Sequence, residues 1–211
     1  ELSSALPSHV VGGTAAQSGC PCASAVALLE SDQGQIATSG RVIVFDLDDT
    51  LIPSSALYDR FEEDLFTEPG LEAMREATNN FASAAAAIHK AQTLYDRVVI
   101  VTHAERSWVE DISKLHTDFS RLLGNALVKR SKKPFFRSRG NALVGRSTNL
   151  QVYTCDDPNL SDYDGSFIYK GQIFKDIYEE QGGRSITSIG DGPAERKAAE
   201  ALGQRVIQFQ T

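Results

Sequence analysis

The 211-residue chain is poor in several features that define large protein classes. Its three cysteines are too few for a disulfide scaffold, and Cys20 and Cys22 have no His or Cys cluster nearby that would indicate a metal site. No uninterrupted apolar run approaches the roughly 18 residues of a membrane-spanning helix. A pI near 5.1 argues against a generally basic nucleic-acid binder. We therefore expect a soluble intracellular protein of one domain, or of one domain and an appendage.

Lys and Arg are also absent from the start of the chain, where the first is Arg41. Residues 1–40 are rich in Ala, Ser and Gly, and have little with which to build a core. We expect a low-complexity N-terminal extension, held by the rest of the domain or by a partner. The start at Glu1 indicates a processed chain, compatible with import into a plastid or mitochondrion and equally with an arbitrary boundary.

From Arg41 onward, short β-branched runs alternate with helical patterns. The predicted strands are 41–46, 97–102, 185–189 and 205–209, and the predicted helices are 55–66, 70–95, 104–123, 167–180 and 193–202. Such alternation predicts a Rossmann-like, three-layer α/β domain over residues 41–211, with a parallel sheet between two layers of helices.

A duplicated segment interrupts this alternation. Residues 124–131 read Gly-Asn-Ala-Leu-Val-Lys-Arg-Ser, and residues 140–147 repeat this with one change. We expect one copy to supply a further strand and the other to lie in a loop. The stretch 121–146 holds eight of the 21 basic residues and no acidic one, so it either docks an acidic surface or forms a solvated loop.

Two carboxylates follow the first predicted strand. Residues two apart on a strand point the same way, so Asp46 and Asp48 can converge at the carboxyl edge of the sheet, where open α/β sheets bind ligands. Neighbouring carboxylates repel unless a cation or a proton lies between them, and Mg²⁺ is the natural oxygen-loving cation. The alternative is an acidic turn that caps the next helix.

Four motifs agree in order with those of one family. They are Asp46-Leu-Asp48-Asp49-Thr50, the strand Val98–Thr102, Lys170 near the start of a later helix, and the turn Ile189-Gly190-Asp191-Gly192-Pro193-Ala194-Glu195. On these motifs the chain resembles the haloacid dehalogenase-like (HAD) superfamily of phosphatases, and within it an uncharacterised protist and algal branch. The resemblance spans residues 41–211 and implies a HAD-like core without a large cap domain.

The resemblance also implies catalytic roles. Asp46 would attack phosphorus and form an aspartyl-phosphate. Asp48 would give a proton to the leaving oxygen and later take one from water. Thr102 would hydrogen-bond a phosphoryl oxygen, and Lys170 would screen the negative charge.

The same resemblance implies a Mg²⁺ site. Asp191 would hold the metal together with Asp46 and the backbone carbonyl of Asp48. Glu195 would support the metal from the first turn of the next helix.

Several of these residues have structural alternatives. Thr102 could cap the following helix, and Glu195 could be a first-turn acid favoured by the helix dipole. Lys175, one turn and a residue further on, competes with Lys170 for the position of the site lysine.

Three neighbours of the motifs are expected outside the site. We expect Asp49 to be structural and Trp108 to be a core residue on a helical apolar stripe. His103 follows Thr102 directly, but a lone histidine is more often a satisfied or exposed side chain.

The spacing of the motifs bears on the substrate and on partners. Only about 50 residues separate the first two motifs, which leaves little room for a cap that covers small substrates. We therefore expect a phosphoric monoester hydrolase that acts on an exposed or macromolecular phosphate, such as a phosphoprotein. The alternative is a non-catalytic subunit of a complex, bound through residues 1–40 and 121–146. A nucleic-acid partner is disfavoured because the rest of the chain is acidic.

Overall fold

The computed structural model describes residues 41–61, 67–70, 72, 79–126, 149–155, 166–183 and 185–208. In chain order the elements are β1 (Val42–Phe45), α1 (Ser54–Phe61), α2 (Asn79–Leu94), β2 (Arg97–Val101), α3 (Arg106–Ser113), α4 (Thr117–Ala126), β3 (Leu150–Tyr153), α5 (Ser166–Glu180), β4 (Ile186–Gly190), α6 (Pro193–Glu200) and β5 (Arg205–Gln208). The predicted extension 1–40 and most of the basic stretch 121–146 lie outside the described residues. None of the described helices is both long and apolar enough to cross a membrane.

The five strands form one parallel sheet in the order β3-β2-β1-β4-β5. Strand β1 lies at its centre, where Phe45 pairs with Ile100 on one side and Ile189 on the other. The order reverses direction at β1, so the loops after β1 and β4 diverge and leave a crevice at the carboxyl edge. This confirms the predicted Rossmann-like α/β fold.

Each face of the sheet is covered by helices because the strand residues alternate in direction. Ile43 and Phe45 belong to one buried cluster, which continues into α2, α3 and α4. Val42 and Val44 belong to a second cluster on the opposite face, which continues into α5 and α6. The sheet is therefore the middle of three layers, and both faces of β1 are fully buried.

The third strand differs from the prediction. It spans Leu150–Tyr153 and pairs with β2, whereas the sequence suggested one copy of the duplicated segment. Residues 124–126 of the first copy belong instead to the last turn of α4, and the remainder of both copies lies outside the described residues. Leu150, Val152 and Tyr153 are buried, so this short run has the apolar side chains that the sheet edge requires.

The single helix predicted over 104–123 is two helices, α3 and α4. The backbone tightens between them, where the N–H groups of Lys114 and Leu115 donate to carbonyls three residues earlier. Thr117 begins the second helix. The apolar spacing nevertheless identified buried residues correctly, since Trp108 and Phe119 lie on opposite sides of the break and both are buried.

Candidate active site

The carboxyl ends of three neighbouring strands bring the motif residues together. Asp46 directly follows β1, and its backbone N–H donates to the Ile189 carbonyl at 2.9 Å, which extends the pairing with β4. Asp191 follows β4 and Thr102 follows β2. The Thr102 backbone N–H donates to the Tyr153 carbonyl. The position of each side chain is thus set by the end of a buried strand.

A buried ion cluster lies at the end of the central strand. Lys170 Nζ donates to Asp46 Oδ1 at 2.7 Å and also to Glu195 Oε1. Asp46 and Lys170 are each 5% exposed and Glu195 is 2% exposed. Burial on this scale makes each charge depend on the others, because water screens little inside the cluster.

The structure distinguishes the two candidate lysines. Lys175 is exposed and lies 4.0 Å from Glu179 on its own helix, whereas Lys170 reaches the end of β1. Five residues along an α-helix amount to more than one turn of about 3.6 residues, so the two side chains leave α5 in different directions.

Burial sets the protonation behaviour of the cluster. It raises the pKa of Asp46 to about 8, with Glu195 and Asp48 adding to the increase and Lys170 opposing it. For Lys170, burial alone would lower the pKa, but the Asp46 and Glu195 carboxylates raise it above the ordinary value. The lysine is therefore held as a cation between the Asp46 and Glu195 carboxyl groups.

Three carboxylates of this cluster could hold a metal ion. Asp46, Asp191 and Glu195 each offer an oxygen, and these atoms lie within 4.8 Å of one another. Glu195 Oε2 is buried without a hydrogen-bond partner among the described residues. All three ligands are oxygens, which suits a hard divalent cation, and one lysine does not balance their charge. The residues present therefore fit a divalent metal.

The loop after β4 is shaped around Glu195. A Cβ built on Gly190 would lie 2.7 Å from Glu195 Cγ, and one on Gly192 would lie 2.8 Å from Glu195 Oε2. Both glycines thus allow the glutamate to fold back under the end of β4 from the first turn of α6. Glu195 is therefore packed toward Asp46 and Asp191, whereas an acid that only interacts with the helix dipole would not need this packing.

Thr50 fixes the third carboxylate of the group. Its hydroxyl donates to Asp191 Oδ1 at 3.2 Å and accepts from the Asp191 backbone N–H at 3.1 Å. Thr50 is fully buried, so the contact ties the loop after β1 to the loop after β4. Although Thr50 belongs to the first motif, no role was predicted for its hydroxyl.

The Asp48 carboxylate lies among three side-chain donors. Thr102 Oγ1 donates to Oδ2 at 2.7 Å, and Ser54 Oγ and Trp108 Nε1 donate to Oδ1 at 2.6 and 3.3 Å. Its side chain is therefore not one of the three metal-competent carboxylates, and coordination through its backbone carbonyl stays a prediction. The Thr102 hydroxyl also accepts from the Ala104 N–H at 2.9 Å, so it makes both a site contact and a cap-like contact.

Two of these donors were missed as site residues. Trp108 is buried as expected, but helical periodicity indicates burial and not where an indole N–H points. Ser54 opens α1 six residues after Asp48 and carries no motif signal. Asp49, at φ 53°, accepts from the Ser55 N–H at 2.9 Å and thereby supports the same helix start.

An open cleft of about 600 Å³ adjoins Asp48. One wall is the ring pair of Tyr58 and Trp108, which are stacked with centroids 4.9 Å apart and planes at 17°. His103, which was predicted to lie outside the site, is exposed and lines the cleft. Its ring lies edge-on to that of Tyr169, with the centroids 6.0 Å apart. Burial and the Asp48 carboxylate raise the pKa of Tyr58 above its ordinary value.

Comparisons with known proteins give structural likenesses and no sequence match. No protein-family model matches the chain, and no curated protein does so. Among solved structures, the chain is similar to a predicted HAD-like family hydrolase from Porphyromonas gingivalis, at 18% identity and a TM-score of 0.34. The match covers 80% of this chain and 90% of that one. At this level of similarity it does not bear on chemistry, so the functional interpretation below depends on the geometry of the site.

Proposed function

We propose that the chain is a HAD-like, Mg²⁺-dependent phosphate-ester hydrolase that acts through an aspartyl-phosphate at Asp46. One observation carries the proposal. The Asp46 carboxylate lies at the end of the central strand, hydrogen-bonded to a buried Lys170 and grouped with Asp191 and Glu195. A nucleophilic carboxylate, a fixed cation and a metal-competent acid group are the parts that phosphoryl transfer needs.

The charge of the cluster supports a metal-dependent reaction. Near neutral pH the raised pKa of Asp46 keeps much of this carboxyl protonated in the metal-free protein. A bound divalent cation would favour the ionised form and neutralise charge on the phosphate. Lys170 is already cationic and hydrogen-bonded to Asp46, so it can offset negative charge on that side throughout the reaction.

The chain's own residues account for each proton and bond. The Asp46 carboxylate attacks phosphorus while the bond from phosphorus to the leaving oxygen breaks, and that oxygen takes a proton from Asp48. Water then attacks the phosphorus of the aspartyl-phosphate and gives a proton back to Asp48. This step releases inorganic phosphate and regenerates the Asp46 carboxylate.

The contacts of Asp48 suit this exchange. Ser54 and Trp108 donate to Oδ1 and hold the carboxyl group in one orientation. Oδ2, which accepts from Thr102, is the oxygen that must take up a proton before Asp48 can act as the acid. We propose that Thr102 also donates to a phosphoryl oxygen when substrate is bound, releasing Asp48 Oδ2 to carry the proton. The open cleft beside Asp48 favours a phosphate presented on an exposed or macromolecular substrate.

The test is hydrolysis of an aryl phosphate, measured with and without Mg²⁺. We expect turnover that depends on the metal and falls by about 10³-fold or more in Asp46→Asn, because the nucleophile is lost. The control is Asp118→Asn, an exposed acid near Arg121 on α4, which should leave turnover unchanged.

Two results would contradict the proposal. Full turnover by Asp46→Asn would exclude Asp46 as the nucleophile. No turnover by the unchanged chain, together with no Mg²⁺ binding by calorimetry, would favour the alternative of a non-catalytic subunit.

A further inference from the structure

The cleft beside Asp48 is placed to receive the leaving group. This step rests on the proposed function, in which Asp48 protonates the leaving oxygen. That oxygen must then lie next to Asp48, and the group attached to it must extend away from the phosphate. Asp48 lines the cleft, whereas Asp46, Lys170 and Glu195 do not. The cleft therefore determines which alcohols can leave.

The wall of the cleft is aromatic. Tyr58 is 50% exposed, and among the described residues it is the exposed large hydrophobic side chain. Its stack on Trp108 occupies one ring face, and Trp108 is in turn held by its bond to Asp48. An aromatic face that is fixed in place and open to solvent attracts apolar groups and cations.

The electrostatic environment of the cleft is negative. Four carboxylates and the His103 imidazole line it, and no Lys or Arg does so within the part of the chain that the structure describes. The four are Asp48, Asp49, Glu105 and Asp111. Since Asp48 carries the proton in the proposed reaction, Asp49, Glu105 and Asp111 supply the negative charge. Lys114 pairs with Asp111 at 2.6 Å from outside the lining and offsets one of these charges. An anionic leaving group would be repelled here, and a cationic one would be attracted.

We propose that the preferred substrates are phosphate monoesters whose leaving alcohol carries a positive charge, held against Tyr58 and between the carboxylates of the cleft. A volume of about 600 Å³ admits a small ammonium alcohol or one basic side chain beside the ester. A free ammonium ester and a phosphopeptide flanked by arginine share this chemistry, and the experiment separates them.

The experiment compares kcat/KM for O-phosphocholine and for 3,3-dimethylbutyl phosphate, in which carbon replaces the charged nitrogen. Shape is matched, so the ratio reports charge alone. We expect the charged ester to be preferred by about tenfold, a typical gain from a cation on an aromatic face with nearby acids. A second pair consists of two peptides in which phosphoserine is flanked by arginines or by glutamates. It tests whether the positive charge can come from a peptide substrate.

Variants tie the preference to the cleft. The double change Glu105→Gln and Asp111→Asn, and separately Tyr58→Leu, should each lower the charged-to-neutral ratio. The matched control is Glu110→Gln on the same helix, which pairs with Arg106 at 2.7 Å and lies outside the lining. It should leave the ratio unchanged.

The outcomes distinguish this inference from the proposed function. A preference of about threefold or more in either substrate pair supports it, and the pair that shows the preference identifies the source. Metal-dependent hydrolysis with a smaller ratio in both pairs overturns it and leaves the phosphatase proposal intact. No Mg²⁺-dependent hydrolysis of any ester, the aryl phosphate included, overturns both.

Discussion

The two sides of the candidate site are built differently. On the side of the proposed nucleophile, the buried side, Asp46, Lys170 and Glu195 are almost completely buried and lie near the ends of β1 and β4. On the side proposed for the leaving group, the open side, Tyr58 is half exposed and lines an open cleft between α1 and α3. The buried side is held by strands of the central sheet, whereas the open side is held by short helices. Changes on the buried side should therefore alter stability and metal binding, and changes on the open side should alter specificity.

The sides also differ in how charge is handled. In the buried cluster a fixed lysine offsets part of the carboxylate charge, and the remainder can be satisfied by a proton or a cation. In the cleft no buried lysine offsets the carboxylates: Asp48 is held by neutral donors, and Asp111 pairs with the exposed Lys114. The first arrangement suits chemistry on a phosphate, and the second suits selection of its alcohol.

The largest effect is expected from Lys170→Met. It leaves buried carboxylates without their cation and should lower the free energy of unfolding by about 3–5 kcal/mol, measured by urea denaturation. Lys175→Met is the matched control on the same helix, because its side chain is 58% exposed and its change should stay within about 0.5 kcal/mol. Equal effects of the two changes would mean that the buried cluster does not depend on its lysine.

Asp191→Asn tests the metal half of the buried side. Mg²⁺ at about 100 times its Kd should raise the stability of the unchanged chain by about 2.7 kcal/mol, seen as a higher Tm. The variant should lose most of this gain because one of three carboxylate ligands is gone. Asp118→Asn should retain it. A gain that survives in Asp191→Asn would place the metal elsewhere.

Asp46→Asn should have a smaller effect that depends on pH in the absence of divalent metal. The pKa of Asp46 is raised by burial to about 8 from its usual 3.8, so between these values the folded state holds a proton that the unfolded state lacks. Stability contributed by this group is present at low pH and is lost as pH rises through the folded pKa. The free energy of unfolding of the metal-free variant should therefore exceed that of the unchanged chain by on the order of 1–2 kcal/mol at pH 8, and by less at pH 5.

The same experiment has a clear counter-result. If Asp46 titrated as an ordinary aspartate, the difference in free energy of unfolding between the two metal-free proteins would be the same at pH 5 and pH 8. That result would contradict the raised pKa. Saturating Mg²⁺ should reverse the order of stability, because only the unchanged chain keeps all three carboxylates.

Tyr58→Leu should have the smallest effect on stability. The side chain is half exposed, so the loss of its stack on Trp108 should cost about 1 kcal/mol or less in chemical denaturation. Hydrolysis of the aryl phosphate should change far less than in any variant of the buried cluster. A loss of stability close to that of Lys170→Met would remove the contrast between the two sides.

Much of the fold follows from local sequence. Four of the five strands are β-branched runs, and such runs predict buried parallel strands; three of them end at or just before Asp46, Thr102 and Gly190. The third strand was placed wrongly because the duplicated segment is as apolar as the Leu150–Tyr153 run that forms it. Only pairing with β2 distinguishes the two, and pairing is not a local property.

The candidate site was predicted less completely. Asp46 and Asp48 could be named because they follow a buried strand, whereas Asp191 and Glu195 were named only through the family resemblance. The choice between Lys170 and Lys175 depends on which of the two side chains reaches the end of β1. Ser54 and Trp108 were missed because their bonds to Asp48 span loops and helices that only the folded chain brings together. Catalytic roles for all of these residues stay proposals.

The most direct test of the central claim is to look for the phosphoryl group on the protein. The chain would be mixed with acetyl phosphate and Mg²⁺, quenched in acid, digested, and mapped by mass spectrometry. The account predicts a phosphoryl adduct on the peptide that contains Asp46, present only with Mg²⁺ and absent in Asp46→Asn. A chain that binds Mg²⁺ and hydrolyses the donor with no adduct on that peptide, or with an adduct elsewhere, would contradict it.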